Sequence, residues 1–195
     1  DFTKRVANGP TDRGFDYFYG LTSPSGPPHL YMVNDMAEKQ PNTRFEESGG
    51  GLYKIKGGIG HSDWSADGMQ PHLADKMLEY LDENKDSDKP FFLYMALTAP
   101  HIPLFPSKEF KGKSKIGDYG DLVMMIDDIV GRVNRKLKEI GKYDNTIVMF
   151  AADNGCAGYI NMDRINRKGH YPSYIYRGYK SHGLSLIHIS EPTRQ

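Results

Sequence analysis

Residues 146–155 constrain the fold of this chain more than any other stretch. The first seven are apolar and rich in β-branched and aromatic side chains, and they stop abruptly at Asp153, Asn154 and Gly155. A short apolar run that ends in a turn is typical of a buried central β-strand. In open α/β sheets, ligands bind outside the carboxyl ends of the strands. The pattern therefore predicts a site at Asp153 and Asn154.

The side chains at this turn offer hard oxygen ligands. A carboxylate and an amide oxygen suit Ca²⁺ or Mg²⁺ better than a metal that prefers thiolate or imidazole. Asp-Asn-Gly is also a common turn sequence, so these three residues alone favour an ordinary turn.

A second segment of the same kind lies upstream. Residues 91–97 read as another buried strand, and His101 follows between Pro100 and Pro103. The intervening residues 119–140 carry an apolar stripe at helical spacing. Strand, helix and strand predict a right-handed parallel crossover. This connection would place His101 and Asp153 at the same edge of the sheet.

Two other features belong to helices. An apolar face from Leu73 to Leu81 predicts a helix that begins near Pro71. Asp127 and Asp128 are adjacent within the longer helix, where neighbouring side chains diverge by about 100°. We therefore interpret them as surface acids with Lys or Arg partners, not as a catalytic pair.

Taken in order, these segments resemble the sulfatase family of the alkaline-phosphatase superfamily. The resemblance spans roughly residues 12–182 and implies an α/β fold. The expected architecture is a partial alkaline-phosphatase-like three-layer sandwich, with a mostly parallel sheet and flanking helices. The matching pieces are residues 14–20, 98–104, 119–120, 144–148 and 153–155, together with Lys180.

The resemblance implies a sulfuric ester hydrolase with specific roles for four residues. Asp153 and Asn154 would bind Ca²⁺, with Mg²⁺ as the alternative. His101 would contact the sulfate near its bridging oxygen, and Lys180 would contact the sulfate oxygens. The implied substrate is a sulfated small molecule or a sulfated glycan.

The long irregular stretch 21–68 lies over the active site in this family. It contains three residues that are candidates for contacting the organic part of the substrate, with ordinary loop residues as the alternative: His29, His61 and Trp64.

The family nucleophile is a Cys or Ser in a Cys/Ser-x-Pro-x-Arg motif, oxidised to formylglycine. We expect this chain to lack the motif, because Cys156 does not lie in one. A small buried thiol is the favoured interpretation of Cys156. Residues 1–184 are then expected to be an internal, inactive fragment of a sulfatase catalytic domain, with the formylglycine in a missing N-terminal part. Residues 185–195 resemble a translated sequencing adapter and are expected to be a non-native tail.

Two other functions stay open at this point. A phosphatase or phosphodiesterase of the same superfamily commonly has Asp-His after this strand to bind zinc, and Asn154 is a poor zinc ligand. A non-catalytic relative that binds sulfated glycans would keep the fold and lose the nucleophile.

The overall composition excludes some partners. Twenty-five basic residues balance twenty-five acidic ones, which argues against nucleic acid as a partner. No apolar run is long enough to span a bilayer. The resemblance implies a secreted, periplasmic or lysosomal protein, and the sequence does not decide among these.

Overall fold

The computed structural model describes residues 4–23, 26–175 and 178–181. Its α-helices are α1 (Met69–Glu83), α2 (Asp118–Glu139) and the short α3 (Met162–Arg167). Four 3₁₀ turns punctuate the connecting segments, at Pro10–Arg13, Gly51–Tyr53, Tyr143–Asn145 and Gly158–Ile160.

Both long helices confirm the sequence-based prediction to within a few residues. Helix α2 carries acidic residues in its first turn and Lys136 and Lys138 in its last, which is the arrangement that the helix dipole favours. Asp128 pairs with Arg135 across 3.4 Å, as expected for a surface acid. Within the described ranges, no helix is both long enough and apolar enough to cross a membrane.

The main core lies between α1 and α2. Ala74 of α1 packs with Leu122, Met125 and Ile129 of α2, and Leu104 from the segment after His101 completes the buried cluster. An ion pair between Arg132 and Asp75 joins the exposed edges of the two helices. The segment that carries His101 is therefore anchored to the helical layer through a buried leucine.

The strands form two small antiparallel sheets. Strands β1 (Tyr19–Gly20), β2 (Met32–Val33) and β3 (Met36–Ala37) make one sheet in that order, while β4 (Thr43–Phe45) pairs with β5 (Gly58–Gly60). In the second sheet, Thr43 lies opposite Gly60. A second buried cluster of Tyr31, Trp64 and Met69 lies beside these strands. The irregular region of the sequence is therefore an ordered layer with its own core.

The predicted parallel sheet is not confirmed. Neither residues 91–97 nor residues 146–152 belong to a strand in the described part of the chain. The prediction that 146–152 is a buried strand is wrong here, since Ile147 is 88% exposed and Phe150 is 69% exposed. The physical reason is that a strand needs neighbouring strands for its backbone hydrogen bonds and for cover of its faces. No such neighbour lies beside either segment among the described residues.

Residues 91–97 nevertheless keep the two-residue alternation of a strand. Met95 and Leu97 are partly buried against the α1–α2 core, whereas Phe92 and Tyr94 are more than 70% exposed. One face of the segment is covered by helices and the opposite face is open. The continuous apolar run predicts a strand buried on both faces, but among the described residues only one face of the segment is covered.

Candidate functional site

His101 lies on an exposed turn that its own backbone stabilises. Its N–H donates to the carbonyl of Thr98 at 3.0 Å, and its Nδ1 lies 2.7 Å from the carbonyl oxygen of Ile102. A carbonyl oxygen can only accept, so Nδ1 carries the hydrogen in this contact. The bond fixes the tautomer and leaves Nε2 as the ring nitrogen for a ligand.

A buried glutamine supports the base of this turn. Gln70 of α1 is 3% exposed, and its amide nitrogen donates to the hydroxyl of Thr98. Thr98 is also the residue whose carbonyl holds the His101 backbone. Helix α1 therefore fixes the position from which the His101 turn starts.

The predicted metal ligands follow residues 146–152 directly. Asp153 is exposed and Asn154 is half-buried. The side-chain amide nitrogen of Asn154 donates to the carbonyl of Gly155 at 2.9 Å. This bond leaves the amide oxygen as the acceptor available to a cation. Within the described ranges, no hydrogen bond to the carboxylate of Asp153 or to the amide oxygen of Asn154 is found, so both could act as ligands.

Tyr159 connects the His101 turn to the Asp153 turn. The rings of His101 and Tyr159 meet edge to face, with centroids 6.5 Å apart and planes at 76°. Burial raises the pKa of the Tyr159 phenol, and a hydrogen bond from the backbone of Ile102 lowers it by less. The charges of Cys156 and Asp153 raise the pKa further. The ring of His101 and the charge of Asp153 therefore both act on the same tyrosine.

Lys180 joins this region through its backbone. Its N–H donates to the carbonyl of Cys156 at 2.9 Å, which places residue 180 against the turn that follows the proposed metal ligands. Its side chain is half-buried. The structure thus brings the segments of all four predicted site residues into one region.

Cys156 is a structural thiol in this environment. Its Sγ–H donates to the phenol oxygen of Tyr119, at the start of α2, across 3.2 Å. Burial raises the pKa of the thiol, while its hydrogen bonds with the Tyr119 side chain and the Ala157 backbone lower it by less. A protonated, partly buried thiol is a poor nucleophile, which agrees with the interpretation made from sequence.

The oxygen ligands fit a hard divalent cation, but they form only part of a coordination shell. Ca²⁺ takes six to eight oxygens, and Asp153 and Asn154 supply two. In the part of the chain that the structure describes, no three His, Cys, Asp or Glu side chains form a metal-binding group. Any cation here would rely on further oxygens from backbone, water or another segment.

Two of the three substrate-contact candidates pack together beside the second core. His29 is 2% exposed, and its Nε2 bonds to the carbonyl of Lys56 at 2.7 Å. Trp64 packs against His29 with ring centroids 4.3 Å apart. Both residues therefore stabilise the region of the second core, and Trp64 also lines an open cleft. His61 is more accessible and lines an open cleft.

Sequence reasoning missed Tyr159 and Gln70. Both act through contacts with residues distant in sequence, and neither carries a motif that marks it. The one available signal for Tyr159 was its position shortly after Asp153 and Asn154, in an aromatic-rich segment.

Comparisons with known proteins identify the family of this chain. The family model described as Sulfatase matches residues 2–184. An N-acetylgalactosamine-6-O-sulfatase from Bacteroides thetaiotaomicron is 33% identical over 120 residues, covering 60% of this chain and 23% of that protein. The human N-acetylgalactosamine-6-sulfatase is 48% identical over 68 residues, which is 35% of this chain and 13% of that protein. The chain thus spans less than a quarter of either relative.

A solved structure shows the same fold. It is described as a sulfatase from the metabolism of multiple glycosaminoglycans by Bacteroides thetaiotaomicron, and it superposes with a TM-score of 0.73 at 24% identity. The match covers 91% of this chain and 44% of that one. At this identity the similarity establishes the fold alone, and the family model over residues 2–184 establishes the family. This chain belongs to the sulfatase family.

Proposed function

We propose that this chain forms the cation-binding and sulfate-contacting part of an enzyme that hydrolyses sulfate esters. The observation that carries the proposal is the ring contact between His101 and Tyr159, whose phenol also feels the charge of Asp153, while the backbone of Lys180 binds that of Cys156. The relatives named above act on N-acetylgalactosamine 6-sulfate groups, as their names state. A sulfated glycan is accordingly the favoured substrate class, with sulfated small molecules as the alternative.

His101 has the chemistry for proton transfer at the ester. Hydrolysis of a sulfate ester breaks the bond between sulfur and the bridging oxygen, and the released alcohol takes up a proton. With Nδ1–H held by the carbonyl of Ile102, Nε2 is the position from which a protonated His101 would deliver that proton. Lys180 would contribute a compact positive charge near the sulfate oxygens.

Asp153 and Asn154 would hold a divalent cation, with Ca²⁺ favoured over Mg²⁺. A bound cation of this kind stabilises negative charge on sulfate oxygens. The role of these two residues is to supply oxygens in fixed positions. The hydrogen bond from Asn154 to Gly155 holds the Asn154 amide in one orientation.

The expectation that this chain has no Cys/Ser-x-Pro-x-Arg motif needs a correction. Residues 1–184 contain no Cys/Ser-x-Pro-x-Arg motif, but Ser190, Pro192 and Arg194 have this spacing within the tail. The statement that the whole chain lacks the motif is therefore wrong. These residues lie outside the described part of the structure and beyond the region that the family model matches. We propose that the spacing is coincidental and that a formylglycine, where the family requires one, is not formed at Ser190.

Calcium binding tests the proposed cation site directly. Isothermal titration of the chain with CaCl₂ should show weak binding that Asp153→Ala abolishes. Asp163→Ala provides the matched control, because Asp163 is also exposed and lies only ten residues further along. Equal calcium affinity in the two variants would refute the assignment of Asp153.

A further inference from the structure

An open cleft lies outside the site described above. Its volume is about 340 Å³, and its walls come from the residues just before β2 and just after β3, the turn at residues 61–64, and the first turns of α1. None of His101, Asp153, Asn154 or Lys180 lines it. Small-molecule sites in proteins have volumes of about 300–1,000 Å³, so this cleft is large enough for a ligand of its own.

The charges in the walls balance. Glu38 and Asp63 supply two carboxylates, and Lys39 and Lys76 supply two ammonium groups. Lys39 forms an ion pair with Asp63. A dianionic ligand would prefer an excess of positive charge, and an apolar ligand would bury these groups without hydrogen bonds at a high cost. A neutral ligand with many hydroxyl groups can donate to the carboxylates and accept from the ammonium groups.

Part of the polar wall is already held in place. The hydroxyl of Tyr19 donates to Oε2 of Glu38 at 2.7 Å and accepts from Nε2 of His72 at 2.6 Å. The ring of His72 in turn packs on Tyr31, with centroids 4.1 Å apart. Since the hydrogen bond with Tyr19 fixes Glu38, its Oε1 stays available to a ligand. Preorganisation of this kind lowers the entropic cost of binding.

The remaining wall is apolar and aromatic. Leu30, Tyr31 and Trp64 line the cleft next to the charged groups. A sugar ring has an apolar face of C–H groups and a rim of hydroxyls, so it matches a wall with both characters. Amphipathic aromatic residues such as Tyr and Trp are suited to this kind of contact.

We propose that this cleft binds a neutral sugar ring of the hexosamine type. The bound ring would be one unit of a glycan substrate. The inference therefore rests on the proposed function and adds a sugar-binding site to it. Its test uses an unsulfated sugar without calcium, so its failure and the failure of the cation site are separate results.

Trp64 provides a direct readout, since it is the one tryptophan in the chain and lines the cleft. Titration with N-acetylgalactosamine should change its fluorescence in a saturable way. Asp63→Asn should weaken the apparent affinity about tenfold, the effect of losing one hydrogen bond to a charged group. Lys39→Gln should weaken it similarly, and both side chains are more than half exposed, so neither variant threatens folding.

Asp128→Asn is the matched control, because Asp128 is another aspartate in a surface ion pair but lies outside the cleft. Unchanged affinity in this variant, with weakened affinity in Asp63→Asn and Lys39→Gln, supports the proposal. Three results would overturn it: no saturable change with N-acetylgalactosamine, equal affinity in all the variants, or the same fluorescence change with sodium sulfate alone, which would identify an anion site.

Discussion

The imidazole of His101 and the phenol ring of Tyr159 meet edge to face at a centroid distance of 6.5 Å. Ile102 strengthens this relationship, since its carbonyl accepts from Nδ1 of His101 and its backbone also binds the Tyr159 phenol. Two turns that are more than fifty residues apart in sequence are thereby held together. Their relative position does not depend on the parallel sheet that the sequence predicts.

The buried carboxylate of Asp121 should be important for stability. This residue is 0% exposed, and its two oxygens accept from the backbone N–H groups of Gly112 at 2.7 Å and Ser114 at 2.6 Å. Asp121→Asn removes one acceptor and buries an unpaired amide, so we expect a loss of roughly 2–3 kcal/mol in the free energy of unfolding. Urea denaturation measures it.

Asp127→Asn is the control for this experiment, since Asp127 lies on the exposed face of the same helix. A change of less than about 0.5 kcal/mol is expected there. Equal destabilisation by the two substitutions would show that the loop before α2 does not depend on Asp121.

Alkaline pH should destabilise the fold through Tyr31. Burial raises the pKa of this phenol from 10.0 to about 12, and Glu38 and Asp63 add to the increase. An acid whose pKa is raised in the folded state releases its proton first in the unfolded state. Stability is therefore constant below pH 10 and falls between about pH 10 and 12, by roughly 2 kcal/mol for this group.

The measurement is urea denaturation from pH 8 to pH 11.5. Tyr31→Phe should show a smaller alkaline loss than the unchanged chain, while Tyr171→Phe, which alters an exposed tyrosine, should leave the loss as it is. If Tyr31→Phe and the unchanged chain lose stability in parallel, Tyr31 does not titrate as proposed.

The open apolar faces should cause self-association. Phe92 is 74% exposed and Met149 is 83% exposed, on segments whose backbones have no strand partner among the described residues. Exposed apolar segments with free edges favour pairing between chains. Light scattering as a function of concentration should show association that Phe92→Ser combined with Met149→Ser reduces several-fold.

Tyr171→Ser removes an exposed aromatic residue outside both segments and should leave association unchanged. A monomeric unchanged chain at all concentrations would contradict the prediction.

The chain as written should release no sulfate. Residues 1–184 offer no activated nucleophile. A general acid and a weakly bound cation can assist an attack on the sulfate, but neither can replace the nucleophile that makes it. An aryl sulfate assay with added CaCl₂ should give the heat-killed rate for residues 1–184, for the whole chain and for its Ser190→Ala variant. Activity that depends on Ser190 would show that the tail supplies the nucleophile.

Deletion of residues 185–195 also tests the predicted tail. It should leave the melting temperature unchanged, because a non-native segment makes no evolved contacts. A fall of more than a few degrees, equivalent to about 1 kcal/mol, would show that the segment contributes to the fold.

The sequence by itself determined the helices and the family. The apolar period of α2 requires no tertiary information, because one stripe of side chains must face a core wherever that core lies. The motifs around His101 and Asp153 were equally local, and they led to the family that residues 2–184 match. Residues 91–97, by contrast, are apolar throughout in the sequence, and only the structure buries every second side chain.

Tertiary structure alone decided which segments pair and which side chains meet. Strand pairing depends on neighbouring strands that no local sequence pattern specifies. The apolar sequence of residues 146–152 therefore predicts a buried strand, although the structure leaves most of the segment exposed. Three side-chain contacts also depend on tertiary structure. Trp64 packs against His29, Tyr159 contacts His101, and Gln70 donates to Thr98. Each depends on contacts between distant residues, whose energies are set by mutual packing and desolvation rather than by the residue types alone.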